Sequence, residues 1–281
     1  MRHLTPLRYP GGKAHLGLFF GELVRMNGLA DSAYVEPYAG GAGVGVSLLL
    51  GEYVDSVWIN DLDPAVWAFW QSVVGYDGEL RRRIENTPLT VQEWERQKAI
   101  YQRGLAAGVL SFGFAFFYLN RTNRSGILNG GVIGGKKQKG EWKIDARFNR
   151  AELAERVRRI ARYRSRFHVH NLDALVFLQS VLGRLPQRSL LYLDPPYYAK
   201  GSHLYANYYT ADDHSVIAKT VKALTKPWVV SYDDRAETRR LYAGHTTRRY
   251  KLSYSARERR QGAEVMFFAR SMKVPDSLPS K

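Results

Sequence analysis

An acidic residue, two prolines and a tyrosine follow a short apolar run near position 190, and these residue types can do chemistry on a flat base. They are Asp194, Pro195, Pro196 and Tyr197. A ring amine delocalises its lone pair, so a catalyst needs acceptors that draw it toward tetrahedral geometry, and the Asp194 carboxylate and Pro195 carbonyl are two such acceptors. Pro196 fixes its own φ and biases Pro195 toward an extended shape, while Tyr197 can stack on the base. The alternative is a strand that simply ends at a Pro-Pro turn.

A glycine loop and a second acidic residue predict a site for a nucleoside-containing cofactor. Residues 34–36 read as a short strand that runs into a glycine-rich segment at 40–45, with a helix behind it. Glycines let the backbone approach a ligand closely, and a helix N-terminus favours a negative group. Asp61 ends a second apolar strand, a position from which a carboxylate binds ribose hydroxyls. The glycine spacing does not fit the dinucleotide fingerprint, which disfavours a nicotinamide dehydrogenase.

These motifs, with a PGGK segment at 10–13 and an Asn-Arg loop at 120–126, resemble the D12 or Dam-like class of DNA adenine-N6 methyltransferases. Their order is that of the alpha group: PGGK, glycine loop, recognition insert, then the DPPY segment, spread over most of positions 5 to 270. The resemblance implies S-adenosylmethionine as the cofactor, double-stranded DNA as the partner, and methyl transfer to N6 of a flipped-out adenine at specific sites. Relatives often continue the Asn-Arg loop with Phe-Asn-Gly or Tyr-Asn-Gly, whereas residues 123–126 read NRSG, so no recognition sequence is carried over.

The resemblance also implies roles for individual residues. Lys13 would lie near the cofactor's carboxylate, Asp61 would hold its ribose, and Asp173 would lie beside its adenine. The target base would be held by Asp194, Pro195, Pro196 and Tyr197. The cofactor would be contacted by Tyr9, Lys13, Glu36, Pro37, Tyr38, Gly40, Gly41, Asp61, Asp173 and Asp194. The residues themselves, rather than the resemblance, predict DNA contact by Arg121, Asn123 and Arg124, and by a mobile, glycine-rich arm at 126–140. The arm carries three residues that we name the insert lysines, Lys136, Lys137 and Lys139. No metal site is expected.

Composition agrees with a nucleic-acid partner. The chain has 281 residues and a formal charge of +16, and residues 136–166 hold 12 Lys or Arg against 4 Asp or Glu. Basic patches bind phosphate backbones by releasing counterions. The absence of cysteine excludes disulfides, thiolate metal sites and a thiol nucleophile. No apolar stretch is long enough to cross a membrane and the start does not read as a signal peptide, so we expect a cytoplasmic protein.

Pattern changes along the chain predict an α/β fold with a Rossmann-like, mostly parallel sheet and a late antiparallel hairpin. The hairpin strands are expected at 251–254 and 264–269, on either side of a basic tip at 257–262. The catalytic domain is expected at 1–74 and 165–272, a mainly helical target-recognition insert at 75–164, and a disordered tail at 273–281. Thr210 and Asp213 are spaced as a capping box that starts a helix.

Other functions remain open from the residues alone. Cytosine-N4 methylation, adenine methylation in RNA and an inactive nucleic-acid-binding relative all fit the fold and the charge. A cognate restriction enzyme is a further possible partner, and the sequence predicts neither the recognition site nor the oligomeric state.

Overall fold

The protein is described here by a computed structural model that covers residues 4–9, 12–198, 209–254 and 260–276. Its strands are β1 (Ala33–Glu36), β2 (Ser56–Asn60), β3 (Phe167–His170), β4 (Ser189–Leu193), β5 (Trp228–Asp233), β6 (Thr246–Tyr254) and β7 (Arg260–Phe268). Its helices are α1 (Gly17–Met26), α2 (Gly43–Leu50), α3 (Pro64–Gly75), α4 (Asp77–Asn86), α5 (Val91–Gln102), α6 (Val109–Thr122), α7 (Arg150–Ala161), α8 (Ala174–Val181), α9 (Ala211–Lys222) and α10 (Ala236–Leu241).

All seven strands form one sheet in the order β3-β2-β1-β4-β5-β7-β6. The first five in this order are parallel to one another, and β7 pairs antiparallel with both β5 and β6. Every residue of β1 and β4 is buried, which explains why these strands read as continuous apolar runs rather than alternating ones. The predicted α/β sheet with a late antiparallel hairpin is confirmed.

The terminal hairpin is longer than the sequence predicted. β6 begins at Thr246 rather than at Lys251, and its nine residues pair with β7 in one continuous register. The register places Glu264 of β7 opposite both Asp233 of β5 and Tyr250 of β6. Residues 255–259, which hold most of the predicted basic tip, lie outside the described part of the chain.

Helices α4 to α7 occupy the stretch between α3 and β3, where the recognition insert was predicted. Helix α6 packs closely on α3 at Gly113, where a Cβ would lie 2.5 Å from the Ala68 carbonyl oxygen. Phe69 and Phe117 stack across this contact with ring centroids 5.5 Å apart. The helical stretch therefore shares a hydrophobic core with the sheet, and its domain boundaries stay a prediction.

Local signals in the sequence set several element ends. Thr210 and Asp213 form the expected capping box at the start of α9, since each side chain accepts the other residue's backbone N–H. At the start of the predicted disordered tail, Lys273 exchanges two backbone hydrogen bonds with the Asn27 side chain, at 2.8 and 2.9 Å. Among the described residues, the helices are too short or too polar to span a bilayer.

Candidate active site

Four acidic residues meet at one edge of the sheet. Glu36 ends β1, and Asp61, Asp173 and Asp194 follow β2, β3 and β4. Because these strands are parallel, their carboxyl ends lie at the same edge, where ligands bind in open α/β sheets. The topology thus gathers residues from widely separated parts of the chain.

The glycine loop, residues 37–43, is held from several directions. Gly40 has a φ of +44°, and a Cβ there would lie 2.6 Å from the ring of Tyr9. The indole N–H of Trp70 donates to the Gly40 carbonyl at 2.9 Å, and the Thr5 hydroxyl donates to the Gly41 carbonyl at 2.6 Å. Tyr9 therefore covers the loop, and only glycine fits at position 40 without moving that ring.

Asp61 holds the same loop through one carboxylate oxygen and the turn that follows β2 through the other. Oδ2 accepts the Gly40 N–H at 2.8 Å, and Oδ1 accepts the Asp63 N–H at 2.9 Å. Burial raises the pKa of Asp61 to about 6, although these two N–H groups lower it. Each carboxylate oxygen has a second lone pair, so Asp61 can anchor the loop and still accept a ligand hydroxyl.

Asn60 joins the chain segments that follow three strands. Its amide nitrogen donates to the carbonyls of Pro37 at 3.0 Å and Leu172 at 2.9 Å, and its oxygen accepts the Leu172 N–H at 2.9 Å. Asp173, the next residue, caps α8 by accepting the Leu175 N–H at 2.9 Å. One buried side chain thus aligns the segments that carry the predicted cofactor residues.

Glu36 adds a buried carboxyl group to this edge. It is 4% exposed, and its Oε2 atom has no hydrogen-bond partner among the described residues. Burial raises the pKa of Glu36 well above its usual range, and the nearby charges of Asp194 and Asp61 raise it further. Several carboxyl groups crowded at one edge favour a ligand that carries positive charge.

Aromatic side chains line the adjoining part of the edge. The Tyr38 and Tyr209 hydroxyls lie 3.4 Å apart. The His214 ring lies 5.7 Å from the ring of Tyr209 and 5.0 Å from that of Tyr198, measured between centroids. His214 is buried, with Nδ1 3.0 Å from the Tyr232 hydroxyl, and burial lowers its pKa, so it packs as a neutral ring.

Asp194 lies at the centre of a network of polar contacts. Lys13 Nζ lies 3.0 Å from Asp194 Oδ2, and the Ser231 hydroxyl donates to Oδ1. Because Ser231 gives its only proton to Asp194, the Tyr192 hydroxyl, 2.8 Å away, must donate to Ser231. Burial raises the pKa of Asp194, the charge of Lys13 lowers it, and the charge of Glu264 raises it. Its side chain is 22% exposed, so it remains open to a ligand.

Tyr197 is directed into the interior next to this network. It is 6% exposed, and its hydroxyl donates to Glu264 Oε1 at 2.5 Å. Lys13 Nζ lies 5.5 Å from the centre of the Tyr197 ring. Pro195 is buried and Pro196 is half-buried, so the segment after β4 is held close to the sheet.

The predicted DNA-binding residues divide into two groups. Arg121 is 8% exposed and donates to the Pro6 carbonyl, and burial lowers its pKa to about 9. Asn123 is buried, accepts the Trp94 indole N–H at 2.6 Å and donates to two nearby carbonyls. Arg124 and the insert lysines are exposed instead. In this conformation only the second group faces solvent, and DNA contact by Arg121 and Asn123 stays a prediction.

The glycine-rich segment after Arg124 does not extend as a free arm. Val132 and Ile133 are 3% and 9% exposed, and Val132 forms a β-bridge with Asn123. Burial of Val132 and Ile133 stabilises this position by more than the conformational entropy that the surrounding glycines lose, so the segment packs against the core.

Sequence reasoning missed the roles of three polar residues, Asn60, Ser231 and Glu264. Each is a buried polar side chain that adjoins buried apolar residues of its own strand. An isolated polar residue in a buried strand is the signal that could have identified them, because burial without a partner is unfavourable.

Comparison with known proteins adds an independent finding. The family model described as D12 class N6 adenine-specific DNA methyltransferase matches residues 9–256. The search of curated proteins found no match.

Proposed function

Because this chain belongs to the D12 class of N6 adenine-specific DNA methyltransferases, we propose that Asp194 and Pro195 bind the target amine and that the edge around Asp61 binds S-adenosylmethionine. Membership in the family makes the protein an enzyme that transfers a methyl group to adenine in DNA. It favours this reaction over cytosine-N4 or RNA methylation. Sequence-specific action on a flipped-out adenine is part of the proposal.

The charges at the sheet edge support the cofactor assignment. Enzymes of this family generally use S-adenosylmethionine, a ligand with a cationic sulfonium and an ammonium group. Glu36 supplies a buried carboxyl group to such a ligand and Asp194 a partly exposed one, and Glu36 Oε2 has no other partner among the described residues. Asp61 can hold the ribose while it anchors the glycine loop. When bound, the cofactor supplies an electrophilic methyl group whose bonding electrons to sulfur stay on sulfur.

The placement of Asp194 supports the proposed chemistry most directly. It follows a fully buried strand, and Ser231 and Lys13 each occupy one of its oxygens. Each oxygen keeps a second lone pair, so Asp194 can accept an N–H of the adenine amine while the Pro195 carbonyl accepts the other. Two acceptors draw the nitrogen toward the tetrahedral geometry that attack requires.

The same carboxylate can take the proton that the reaction releases. N6 gains a bond to carbon and must lose one of its hydrogens to return to a neutral amine. Burial raises the pKa of Asp194, which makes it a stronger base than an exposed aspartate. Water then removes the proton from Asp194.

Replacing Asp194 with Ala tests this mechanism. Methylation of duplex DNA, measured as N6-methyladenine by mass spectrometry, should fall by roughly 100-fold or more, because a direct transition-state contact is lost. Calorimetry should show S-adenosylmethionine binding weakened only modestly, since Asp61 and the glycine loop remain. Asp55→Ala is the control: this exposed carboxylate lies just before β2, at the opposite end of the sheet. Near-normal turnover in Asp194→Ala would contradict the mechanism.

Exposed positive charge in the helical stretch supports a DNA-binding surface. Lys137 and Lys139 are exposed, and Lys136 forms only a surface pair with Glu95 at 3.0 Å, an interaction of small net energy. Arg124 is exposed, with its Nε–H donating to the Gly130 carbonyl at 3.0 Å. We assign the insert lysines to the phosphate backbone and Arg124 to base or phosphate contact.

A further inference from the structure

We infer that Glu264 is a positioning residue for methyl transfer: it holds part of the Lys13 ammonium charge, so that Asp194 remains a strong acceptor for the target amine. The inference rests on the proposed role of Asp194. Glu264 lies on the antiparallel strand β7, outside every motif that the sequence suggested.

Lys13 lies between two carboxylates. Its Nζ atom is 3.0 Å from Asp194 Oδ2 and 3.2 Å from Glu264 Oε2. The Lys13 side chain is 4% exposed and that of Glu264 is fully buried, so water screens neither interaction appreciably. The ammonium group is thus shared, and its position depends on both carboxylates.

Glu264 is itself held rigidly. Its Oε1 accepts the Tyr197 hydroxyl at 2.5 Å, and its Oε2 accepts the Tyr250 hydroxyl from the neighbouring strand β6. These donors satisfy a carboxylate that is otherwise costly to bury. They also hold the charge of Glu264 close to Lys13.

Sharing Lys13 affects what Asp194 can offer to a substrate. An ammonium group that pairs with Asp194 alone would draw more electron density from Asp194 Oδ2 and weaken the bond to the target amine. Because Lys13 also pairs with Glu264, its pull on Asp194 is weaker and Asp194 stays more basic. This explains why an antiparallel strand carrying a buried acid is placed within reach of the DPPY segment.

Several charged and titratable groups face Asp194, and they set the sign of its pH response. Among the described residues they include Lys13, Tyr34 and Glu36 of β1, Tyr192 of β4, Tyr250 of β6 and Glu264 of β7. After burial and Lys13, the charge of Glu264 is the next influence on the pKa of Asp194, and it raises that pKa. Since the ionised form of Asp194 is the acceptor, activity is lost as the pH falls through this pKa.

Glu264→Gln removes the charge but keeps the shape. We expect kcat at neutral pH to fall about 10-fold, less than the loss expected for a group in direct contact with the amine. The pKa of Asp194 should fall when the opposing charge is gone, so the acid limb of the kcat profile should move to lower pH. KM for duplex DNA and the Kd for S-adenosylmethionine should stay near their wild-type values. Glu264→Asp, which keeps the charge, should leave the acid limb in place.

A matched control and a double-mutant cycle separate positioning from stability. Glu93→Gln changes another buried, ion-paired glutamate, in α5, and should leave both kcat and the pH profile unchanged. In a Lys13→Gln background, Glu264→Gln should change kcat by no more than about twofold, because its effect passes through Lys13. Circular dichroism of each variant confirms that the protein compared is folded.

The outcomes distinguish this inference from the proposed function. If Asp194→Ala abolishes methylation but Glu264→Gln leaves kcat and the acid limb unchanged, Glu264 has no positioning role and the proposed function stands. Additive effects of Lys13→Gln and Glu264→Gln on kcat would also overturn the inference. If Asp194→Ala keeps normal turnover, the proposed function itself fails. Should Glu264→Gln not fold, Tyr250→Phe and Glu264→Asp supply the test. Tyr250→Phe removes a donor to Glu264 Oε2 and should lower kcat, whereas Glu264→Asp keeps the charge and should keep the acid limb. A wild-type kcat in Tyr250→Phe, or a displaced acid limb in Glu264→Asp, would overturn the inference.

Discussion

Replacing Asn60 with Ala should destabilise the protein and weaken cofactor binding together. Asn60 is 1% exposed and makes the three hydrogen bonds to Pro37 and Leu172 described above. Each such bond contributes about 1 kcal/mol net, so their loss should lower the free energy of unfolding by about 3 kcal/mol. The segments after β1 and β3 lose their common anchor, and we expect S-adenosylmethionine affinity to fall about 10-fold, or about 1.4 kcal/mol.

Urea unfolding followed by tryptophan fluorescence measures the first quantity, and titration calorimetry measures the second. Asn27→Ala is a closely matched control, because Asn27 also donates twice and accepts once, at the junction of α1 with residue 273. Asn27 is only half-buried, so water can replace its bonds and the loss should stay below about 1 kcal/mol, with no change in cofactor affinity. Equal destabilisation by the two substitutions, or unchanged cofactor affinity in Asn60→Ala, would refute the reasoning.

Further predictions concern the loop, the acid that holds it and the DNA surface. Gly40→Ala should lower the free energy of unfolding by about 1 to 2 kcal/mol, because alanine is strained at a left-handed φ, and should weaken cofactor binding by displacing Tyr9. Gly28→Ala is the control: its φ is also left-handed but no atom lies near its Cβ position, so it should lower stability and leave cofactor binding unchanged. The pKa of Asp61 is raised to about 6 from 3.8, so the folded protein takes up this proton at a higher pH than the unfolded chain does. The free energy of unfolding of the wild type should therefore rise as the pH falls from 7 to 4, by up to about 3 kcal/mol. Unfolding measurements on Asp61→Asn, which lacks this proton, should not show that gain. Replacing the three insert lysines with Gln should weaken binding to all duplexes alike. The slope of log binding constant against log salt concentration, measured by fluorescence anisotropy, should become shallower by about 2.7. An unchanged slope would place the phosphate contacts elsewhere.

The sequence alone determined the features that depend on short stretches of chain. An apolar strand followed by an acid predicted the edge positions of Asp61 and Asp194, because parallel strands end at a common edge. The glycine loop and the capping box at Thr210 were likewise readable, since each depends on backbone geometry within a few residues. Membership in the D12 class agrees with the resemblance of these motifs.

Only the tertiary structure decided how distant polar groups pair. Lys13 and Glu264 are separated by 251 positions, and nothing local predicts that β7 enters the sheet between β5 and β6 to bring them together. Arg121 looked like a DNA contact by its charge, yet its guanidinium is buried against the Pro6 carbonyl. Charge and motif indicate what a side chain can do. Whether it faces solvent or a partner depends on the packing of elements far apart in sequence, because burial is a property of the whole fold.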